Sequence, residues 1–334
     1  MDLLYKLLKE KIKNHYSFFI ILYNIRAYAL HFVNRFSGNQ LEKIRFFQGL
    51  SYPLNLKHPQ SYNEKILWKK IYDRNPLLPI TSDKVRVRSY VREILGEKQA
   101  KEILIPILYV SDEPETIPFE KLSPPFIIKP NHASGSCIIV NEDNFDKNQI
   151  IKTCRRWLNT PYGLEKMEWA NRAIKRKIII EKLLLDDDGK IAIDFKFNMF
   201  HGKCKLVNVF FDRMNNKSMS SFDGNWNFIQ LKINGFVQGP KIKKPKNYEV
   251  MLELAEKLAE AFDHVRVDFY NQEGKIYFGE LTHYSASGIC KFKPASFDFE
   301  LGKYWKIEKD YWKNDENKNR IPNRYINQYD PSFK

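Results

Sequence analysis

The sequence VRVDFYNQEGKIYFGELTH, residues 265–283, contains two runs of alternating apolar and polar residues around the turn NQEGK. Two such runs joined by a short turn with glycine predict a β-hairpin. Because side chains alternate between the faces of a strand, Arg266, Asp268 and Tyr270 share one face of the first strand. In the second strand we expect four residues to share a face: Ile276, Phe278, Glu280 and Thr282.

If this hairpin pairs in even register, Arg266, Asp268 and Glu280 converge on one side of a largely apolar sheet. Two carboxylates and an arginine in such a place are costly unless they have partners. A magnesium ion that bridges nucleotide phosphates would remove the cost, because hard cations prefer carboxylate oxygen and arginine binds phosphate. The alternative is a structural ion pair between the arginine and the carboxylates.

A second stretch, FIIKPNHASGSCIIV at residues 126–140, places Lys129 at the end of one apolar run and a loop of small residues before the next. In a Walker loop the lysine follows the glycines and a helix comes next, whereas here a strand follows. The backbone N–H groups of Ser134, Gly135 and Ser136 are unobstructed by bulky side chains and suit phosphates, with Lys129 as the cation. The alternative is a plain hairpin with a surface lysine.

Helical patterns occur in three other places. Ser61 followed by Glu64 forms a capping box at the start of SYNEKILWKKIYD. A second helix is expected from about Ser82 to Gly96. The stretch NYEVMLELAEKLAEAF, residues 247–262, predicts an amphipathic helix. Its apolar residues lie four apart: Val250, Leu254, Leu258 and Phe262.

Strand-like runs dominate the chain after residue 125. They read FIIK, CIIV, RKIIIEKLL, KIAIDFKFNMF, KCKLVNVFF, HVRVDFY and KIYFGELTH. Together with the helices they predict an α+β protein with mainly antiparallel sheets and helices on one face.

Composition places the chain among folded globular proteins, since it has 334 residues of which 43% are hydrophobic. The formal net charge of +15 predicts attraction to polyanions, among them nucleotides, acidic saccharides, anionic lipids and nucleic acids. The four cysteines show no CxxC and no zinc-like spacing with histidine, which indicates reduced packing residues in a cytoplasmic protein. They are Cys137, Cys154, Cys204 and Cys290.

The N-terminus begins with an amphipathic segment that carries several lysines, and an uncharged run of 12 residues, 14–25, follows. That run is shorter than the roughly 20 residues of a spanning helix. We interpret residues 1–36 as a basic helix on an anionic membrane surface. A terminal helix pair packed on the domain is the main alternative, and a secretory signal ending at AYA, residues 27–29, is a weaker one.

Several motifs, in order, resemble the TupA-like branch of the ATP-grasp superfamily, from about Tyr52 to Leu301. They are YPLNLKHPQSYNEKILWKKIYD, SDKVRVRSYV, FIIKPNHASGS, IIIEKLL, IDFKFNMFHGK, VRVDFY and FGELT followed by SG. The resemblance implies the ATP-grasp fold, in which two α+β lobes with antiparallel sheets clamp ATP, here with a helical N-terminal extension. The expected segments are the extension 1–50, an N-terminal lobe 51–125, a central lobe with the phosphate loop 126–185, a C-terminal lobe with the metal site 186–305 and a polar tail 306–334.

The resemblance also assigns roles to residues and implies ATP and Mg²⁺ as cofactors. Lys84 and Lys129 are the implied nucleotide-binding lysines, and Ser134, Gly135 and Ser136 form the implied phosphate loop. Glu181 and Leu183 belong to the segment implied to bind adenine and ribose. Asp194 and Lys196 are a further implied pair of nucleotide contacts. The implied metal ligands are Asp268 and Glu280, with Thr282 a weaker ligand where many ATP-grasp enzymes have asparagine. Arg266 and Lys196 are the implied catalytic residues, with Arg266 beside the γ-phosphate.

TupA-like proteins occur in bacterial surface-polysaccharide synthesis, in capsule or O-antigen. The resemblance therefore implies a ligase that joins the carboxylate of a uronic acid to the amine of an amino acid or amino sugar through an acyl phosphate. An anionic acceptor agrees with the charge of +15. The expected location is the cytoplasm, peripheral on the inner face of the membrane.

Three other functions compete with ligation. A glycosyltransferase requires a metal-binding Asp-x-Asp, for which Asp186–Asp188 is the candidate. A non-catalytic ATP-grasp binding module is supported by Thr282 in place of asparagine. A nucleic-acid binder is suggested by charge alone, without an aromatic stacking motif, and ranks last.

Overall fold

The computed structural model describes residues 16–142, 144–185, 189–211 and 218–313. Its first part is helical, with six helices before the first strand. These are α1 (Tyr16–Phe36), α2 (Gln40–Leu50), α3 (Tyr62–Tyr72), α4 (Leu77–Ser82), α5 (Val87–Leu95) and α6 (Glu97–Ile103). The later helices are α7 (Lys147–Asn159), α8 (Trp169–Arg172), α9 (Tyr248–Ala259) and α10 (Phe297–Gly302).

Helix α3 starts with the capping box expected from the sequence. Ser61 Oγ accepts from the backbone N–H of Glu64, and the Glu64 carboxylate accepts from the N–H of Ser61. The fully buried Lys69 anchors this helix, because its ammonium group donates to Asp263 Oδ1 at 2.5 Å and to the carbonyl of His264 at 2.8 Å. Helix α3 is thereby fixed against the start of strand β11 (His264–Gln272).

One sheet has four strands in the order β1-β4-β2-β3, and every pair in it is antiparallel. Its strands are β1 (Ile107–Ser111), β2 (Phe126–Pro130), β3 (Ile138–Val140) and β4 (Ile178–Lys182). Helix α7 packs on β2 over a core that includes Phe126, Ile128 and Ile180. The sequence patterns had indicated β2, β3 and β4 but not β1, whose edge position leaves it half-buried.

The larger sheet has seven strands, in the order β10-β7-β6-β5-β11-β12 with β8 beside β7. Its pairs are antiparallel except β7 with β10, so the expected antiparallel α+β class is confirmed. Its strands are β5 (Ile193–Phe200), β6 (Lys203–Phe211), β7 (Ser218–Phe222), β8 (Phe228–Ile229), β10 (Val237–Gln238), β11 and β12 (Lys275–Thr282). Two short strands, β9 (Lys232–Ile233) and β13 (Phe292–Lys293), pair separately.

Strands β11 and β12 form the expected hairpin through Glu273 and Gly274, which both have positive φ, as a type I′ turn needs. The register pairs Asp268 with Glu280, so the even register is confirmed. The expectation that Phe278 and Glu280 share a face is wrong. Phe269 pairs with Phe278, which leaves Gly279 as the extra residue of a β-bulge. Ile276 and Phe278 therefore lie on the core side, while Glu280 and Thr282 lie on the opposite side.

Two helix expectations need correction in detail. Helix α9 buries Met251, Leu254 and Leu258, whereas Val250 is 48% exposed and Phe262 lies beyond the last residue of the helix. The buried face follows a spacing of three and four rather than four throughout, as the helical period of 3.6 requires. The helix expected from Ser82 begins only at Val87, because residues up to Ser82 belong to α4. It ends before Gly96, whose φ is +79°.

The N-terminal helices α1 and α2 contact the rest of the protein through polar side chains: Glu42 pairs with Lys70, Arg45 pairs with Glu165, and the ring of His31 contacts the carbonyl of Leu164. Of the helices that the structure describes, none combines the length and the apolar character that a bilayer crossing needs. The lysines of residues 1–15, the Asp186–Asp188 motif and the tail beyond residue 313 lie outside the described residues. Three cysteines are free and buried as expected, but Cys137 is exposed and is not a packing residue.

Candidate functional site

A row of polar side chains crosses the larger sheet on the face opposite to its apolar core. Each residue in the row pairs in register with the next one on the neighbouring strand. From β7 to β12 the row reads Ser221, Asn208, Lys196, Asp268 and Glu280. A shorter parallel row reads Asn198, Arg266 and Thr282. Strand alternation gives the two rows one common face, which brings together five residues that the sequence had marked as site residues.

Asp268 is the centre of these rows and is almost completely buried. Arg266 donates from Nε to Oδ1 and from a terminal nitrogen to Oδ2, both at 2.6 Å. The Lys196 ammonium lies 2.5 Å from Oδ2 of Asp268 and 2.9 Å from Oδ2 of Asp194. Burial would lower the pKa of Arg266, but the charges of Asp268, Glu280 and Asp194 raise it well above the ordinary value. Arg266 is therefore held in its charged form by the carboxylates around it.

Glu280 lies at the open end of the row, with its side chain 33% exposed. Its Oε1 is 3.5 Å from Arg266 and accepts from the Thr282 hydroxyl at 3.2 Å. Burial acts to raise the pKa of Glu280, but the charges of Lys84, Arg266, Lys196 and Lys129 lower it to about 2. Four cations from different elements thus act on one carboxylate, which stays ionised at physiological pH.

The four-stranded sheet contributes a second ion-paired group. The ammonium of Lys129, near the end of β2, lies 2.5 Å from Oε2 of Glu181 on β4. Arg88 approaches the other oxygen of Glu181 at 3.8 Å and donates to the carbonyl of Ile105. The sequence analysis did not predict Arg88 as a site residue, although Arg88 lies inside the motif SDKVRVRSYV. A helix pattern does not show which strand a side chain of that helix contacts. Leu183 is buried beyond β4, and its N–H donates to the carbonyl of Pro125.

Lys84 connects the phosphate-loop candidate to the acidic hairpin. Its ammonium donates to the carbonyl of Ala133 at 2.6 Å, within the loop after β2. Burial lowers the pKa of Lys84, nearby Lys129 lowers it further, and Glu280 opposes this shift. Two neighbouring cations are stabilised when an anion binds beside them, and phosphate oxygens carry the negative charge that this requires.

The loop NHASGS is anchored at its start and open at its tip. Asn131 is fully buried and donates to Asp83 at 2.9 Å, whereas Ser134 and Gly135 are exposed. Gly135 has a φ of +72° and nothing lies within 4 Å of where a Cβ would be. The Ser134 hydroxyl is 2.6 Å from that of Tyr162, a contact that the sequence analysis did not predict. The tip therefore presents backbone and hydroxyl groups to the space in front of it.

A cavity of about 230 Å³ lies between this loop and the end of β12. Four site residues from the sequence line it: Lys84, Ser134, Glu280 and Thr282. Lys129, Glu181 and Leu183 are outside its lining, as are Gly135 and Ser136. His132 lines it as well, and burial together with Arg176 and Lys84 lowers the pKa of its ring to about 3, so the ring is neutral. The two hairpins singled out in the sequence thus face one common space.

A smaller cavity of about 90 Å³ lies over the polar rows. Lys196 and Arg266 line it together with the amides of Asn198 and Asn208. The Asn208 amide donates to Ser221 at 3.0 Å and its oxygen accepts from Asn198 at 3.1 Å. Both cavities are lined by Ala286 in the 3-10 turn Ser285–Gly288, so they are neighbours.

The donor set near Glu280 suits magnesium on two conditions. The metal needs further oxygen ligands, and the cations that pair with Asp268 need other anions. Asp268 and Glu280 are hard carboxylate donors on adjacent strands, as Mg²⁺ prefers. Both oxygens of Asp268 already accept from cations, so Arg266 and Lys196 must exchange Asp268 for other anions. Within the described ranges, no three His, Cys, Asp or Glu side chains form a metal site by themselves. Nucleotide phosphates meet both conditions, because they supply oxygens for the metal and for the cations.

Comparison with known proteins assigns the chain to a class. The family model of TupA-like ATP-grasp proteins matches residues 64–306, about three quarters of the sequence. The chain therefore belongs to the TupA-like ATP-grasp family, and its two antiparallel sheets form the ATP-grasp fold. Helices α1 and α2 lie outside the matched region.

The solved structures that the chain matches include three ligases, each with low sequence identity. D-alanine–D-alanine ligase from Bacillus anthracis is 18% identical, over 61% of this chain and 57% of that chain, with a TM-score of 0.37. The Helicobacter pylori D-alanine–D-alanine ligase is 16% identical over 67% and 59%, with a TM-score of 0.36. L-amino acid ligase from Bacillus licheniformis is 12% identical over 63% and 42%, with a TM-score of 0.37. The chain thus spans less than two thirds of each ligase. No curated protein sequence matches it.

Proposed function

We propose that this protein is an ATP-grasp ligase that forms an amide between a uronic-acid carboxylate of a surface polysaccharide, or its precursor, and an amine such as an amino acid. One observation carries the proposal of ATP-dependent chemistry. Cations from four separate parts of the chain act on Glu280, and the phosphate loop and Glu280 line the same cavity. That arrangement supports a triphosphate held between the two sheets.

The proposed reaction has two steps. The substrate carboxylate attacks the γ-phosphorus of ATP, which gives an acyl phosphate and ADP. The amine then attacks the acyl carbon, and inorganic phosphate leaves as the amide forms and the amine loses a proton. Neither step needs a protein nucleophile, so catalysis consists of positioning and charge neutralisation.

The residues divide these tasks between them. We assign Lys84 and Lys129 to the nucleotide phosphates, with the loop residues Ser134–Ser136 covering them. Arg266 and Lys196 are released from Asp268 toward the transferred phosphate. Asp268 and Glu280, with Thr282 as a weaker partner, would hold Mg²⁺, which neutralises phosphate charge when it is bound.

The smaller cavity supports a saccharide as the carboxylate substrate. It lies over the polar rows, and its lining places the amides of Asn198 and Asn208 beside the cations Arg266 and Lys196. Amides suit sugar hydroxyl groups, and the cations suit a carboxylate. We propose that the uronic acid lies along the row with its carboxylate toward Arg266. Dependence on ATP implies a cytoplasmic reaction.

The test is a release assay with ATP, Mg²⁺, pooled uronic-acid saccharides and pooled amino acids. The proposal expects ADP and phosphate to appear only when both an acid and an amine are present. Release of nucleoside diphosphate from a nucleotide sugar would instead identify a glycosyltransferase. ATP binding without release under any combination would identify a non-catalytic binding module, the alternative that Thr282 supports.

A further inference from the structure

A third cavity lies between helix α1 and the family core and shares no lining residue with the nucleotide cavity. Its volume is about 210 Å³. Four of its lining residues are cationic and a fifth is histidine: Arg35, Lys70, Arg74, Arg172 and His31. The segment around residues 162–172 separates it from the nucleotide cavity, because alternate residues of that segment line the two.

The cations in this cavity are unequally compensated. Lys70 pairs with Glu42 at 2.6 Å, and Arg74 lies over the ring of Trp169 and donates to two backbone carbonyls. Among the residues that the structure describes, no carboxylate pairs with Arg35 or with Arg172. Positive charge therefore accumulates without a matching anion.

Arg172 contacts a histidine ring rather than a carboxylate. Its guanidinium donates to Nε2 of His31 at 3.0 Å, and Nδ1 of that ring contacts the carbonyl of Leu164 at 3.2 Å. Both contacts require a neutral imidazole with its proton on Nδ1. The pKa of His31 agrees with a neutral ring, because burial and the charges of Arg172 and Arg35 lower it. An arginine that has only a neutral partner keeps its capacity to bind an anion.

We infer that this cavity binds a phosphate group, with Arg35 and Arg172 as its principal ligands. Arg172 is half-buried beside other cations, which is costly, and an oxyanion bound there removes the cost. Phosphate is favoured because guanidinium groups bind its oxygens in pairs. The site is independent of the proposed ligase function, since it contains none of the residues assigned to ATP.

The outward face of α1 indicates that the phosphate is carried by a membrane lipid. Opposite the buried Ala27 and Asn34, the helix exposes a stripe of large apolar side chains. The stripe consists of Ile21, Ile25, Tyr28, Phe32 and Phe36, each more than half exposed. Phe36 follows Arg35 directly and Phe32 lies three residues before it, so an apolar surface adjoins the basic cavity. An amphiphile with a phosphate headgroup matches both surfaces at once.

The experiment measures binding of the full chain, without ATP, to two kinds of vesicle and to inorganic phosphate. Vesicles of phosphatidylcholine alone are compared with vesicles that also contain phosphatidic acid. The inference expects binding to the second kind that Arg35→Gln/Arg172→Gln weakens about tenfold or more, since charge-assisted hydrogen bonds are lost. Arg26→Gln/Arg92→Gln removes the same charge from two exposed arginines outside the cavity and should change binding by less than about threefold.

The outcomes separate the possibilities. Binding of inorganic phosphate that the cavity variant loses, without vesicle binding, supports the phosphate site and overturns the lipid source. Equal losses in both double variants mean general electrostatic attraction and overturn the site, as does absence of binding to every probe. If the chain is a stable dimer that Phe32→Ser dissociates, the stripe is a protein interface and the lipid source is wrong. Should the cavity variant fail to fold, Arg35→Gln alone repeats the test at an exposed position.

Discussion

The ammonium group of Lys196 lies 2.5 Å from Oδ2 of Asp268, the same oxygen that Arg266 contacts at 2.6 Å. The sheet therefore supplies two cations to its own central carboxylate. The same two cations line the cavity proposed for the saccharide, so they are placed to change partners when anions enter. We interpret Asp268 as a residue that holds Lys196 and Arg266 in position until phosphate replaces Asp268 as their partner and the metal replaces them as the partner of Asp268.

The first prediction concerns this buried cluster. Asp268→Asn leaves Lys196 and Arg266 without their main partner and should lower the free energy of unfolding by about 3 kcal/mol, because it uncovers buried charge. Lys196→Met removes one of the two cations that lose this partner, so the double variant should regain part of the loss. Urea unfolding of the four proteins measures the coupling. Losses that simply add would show that Lys196 and Asp268 do not interact in solution.

The second prediction concerns nucleotide affinity. Lys129→Met should weaken ATP binding roughly tenfold to a hundredfold, the effect of one charge-assisted hydrogen bond. Lys182→Met is the matched control, because Lys182 is an exposed lysine on β4, next to Glu181. Calorimetric titration with ATP compares the two variants with the unaltered protein. Equal affinities in Lys129→Met and the unaltered protein would remove Lys129 from the site.

Sequence patterns predicted the two hairpins well because each is a local feature. The turn at Glu273 and Gly274 and the pairing of Asp268 with Glu280 follow from alternation and turn chemistry within 19 residues. The bulge at Gly279 could not be predicted, because an extra residue changes no local conformational preference. The bulge nevertheless places Phe278 and Glu280 on opposite faces of the sheet. Arg88 and the basic cavity beside α1 arise from contacts between segments far apart in the chain, which no single-segment pattern contains.

The third prediction follows from that bulge. A Cβ at residue 279 would lie 3.1 Å from the backbone oxygen of Asp268 and 3.2 Å from the ring of Tyr270. Gly279→Ala should therefore destabilise the protein by about 1–2 kcal/mol through overpacking and should shift Glu280 away from Thr282. Thermal unfolding and the ATP hydrolysis or ligation rate are both measured. Unchanged stability and rate would mean that the hairpin adapts without moving the carboxylate.

The fourth prediction is a pH dependence of stability. The pKa of His132 is lowered by burial, and further by Arg176 and Lys84, to about 3. As pH falls below about 6.5, the unfolded chain takes up a proton that the folded ring refuses, so stability decreases toward low pH. Between pH 7 and pH 5 this histidine alone should cost about 2 kcal/mol. His132→Asn should reduce the measured loss by that amount in denaturant titrations, and an identical loss in both proteins would contradict the neutral buried ring.

The last prediction tests the metal role of Glu280. Its pKa of about 2 keeps the carboxylate charged throughout the usable pH range, so only substitution can remove the charge. Glu280→Gln should lower the Mg²⁺-dependent ligation rate roughly a hundredfold, as expected when a metal ligand is lost, while ATP still binds through Lys84 and Lys129. Thr282→Asn restores the Glu-x-Asn pattern of many ATP-grasp enzymes and should lower the Mg²⁺ concentration needed for half-maximal rate. Magnesium titrations of both variants separate the roles, and a Glu280→Gln protein with an unaltered magnesium dependence would exclude this residue as a ligand.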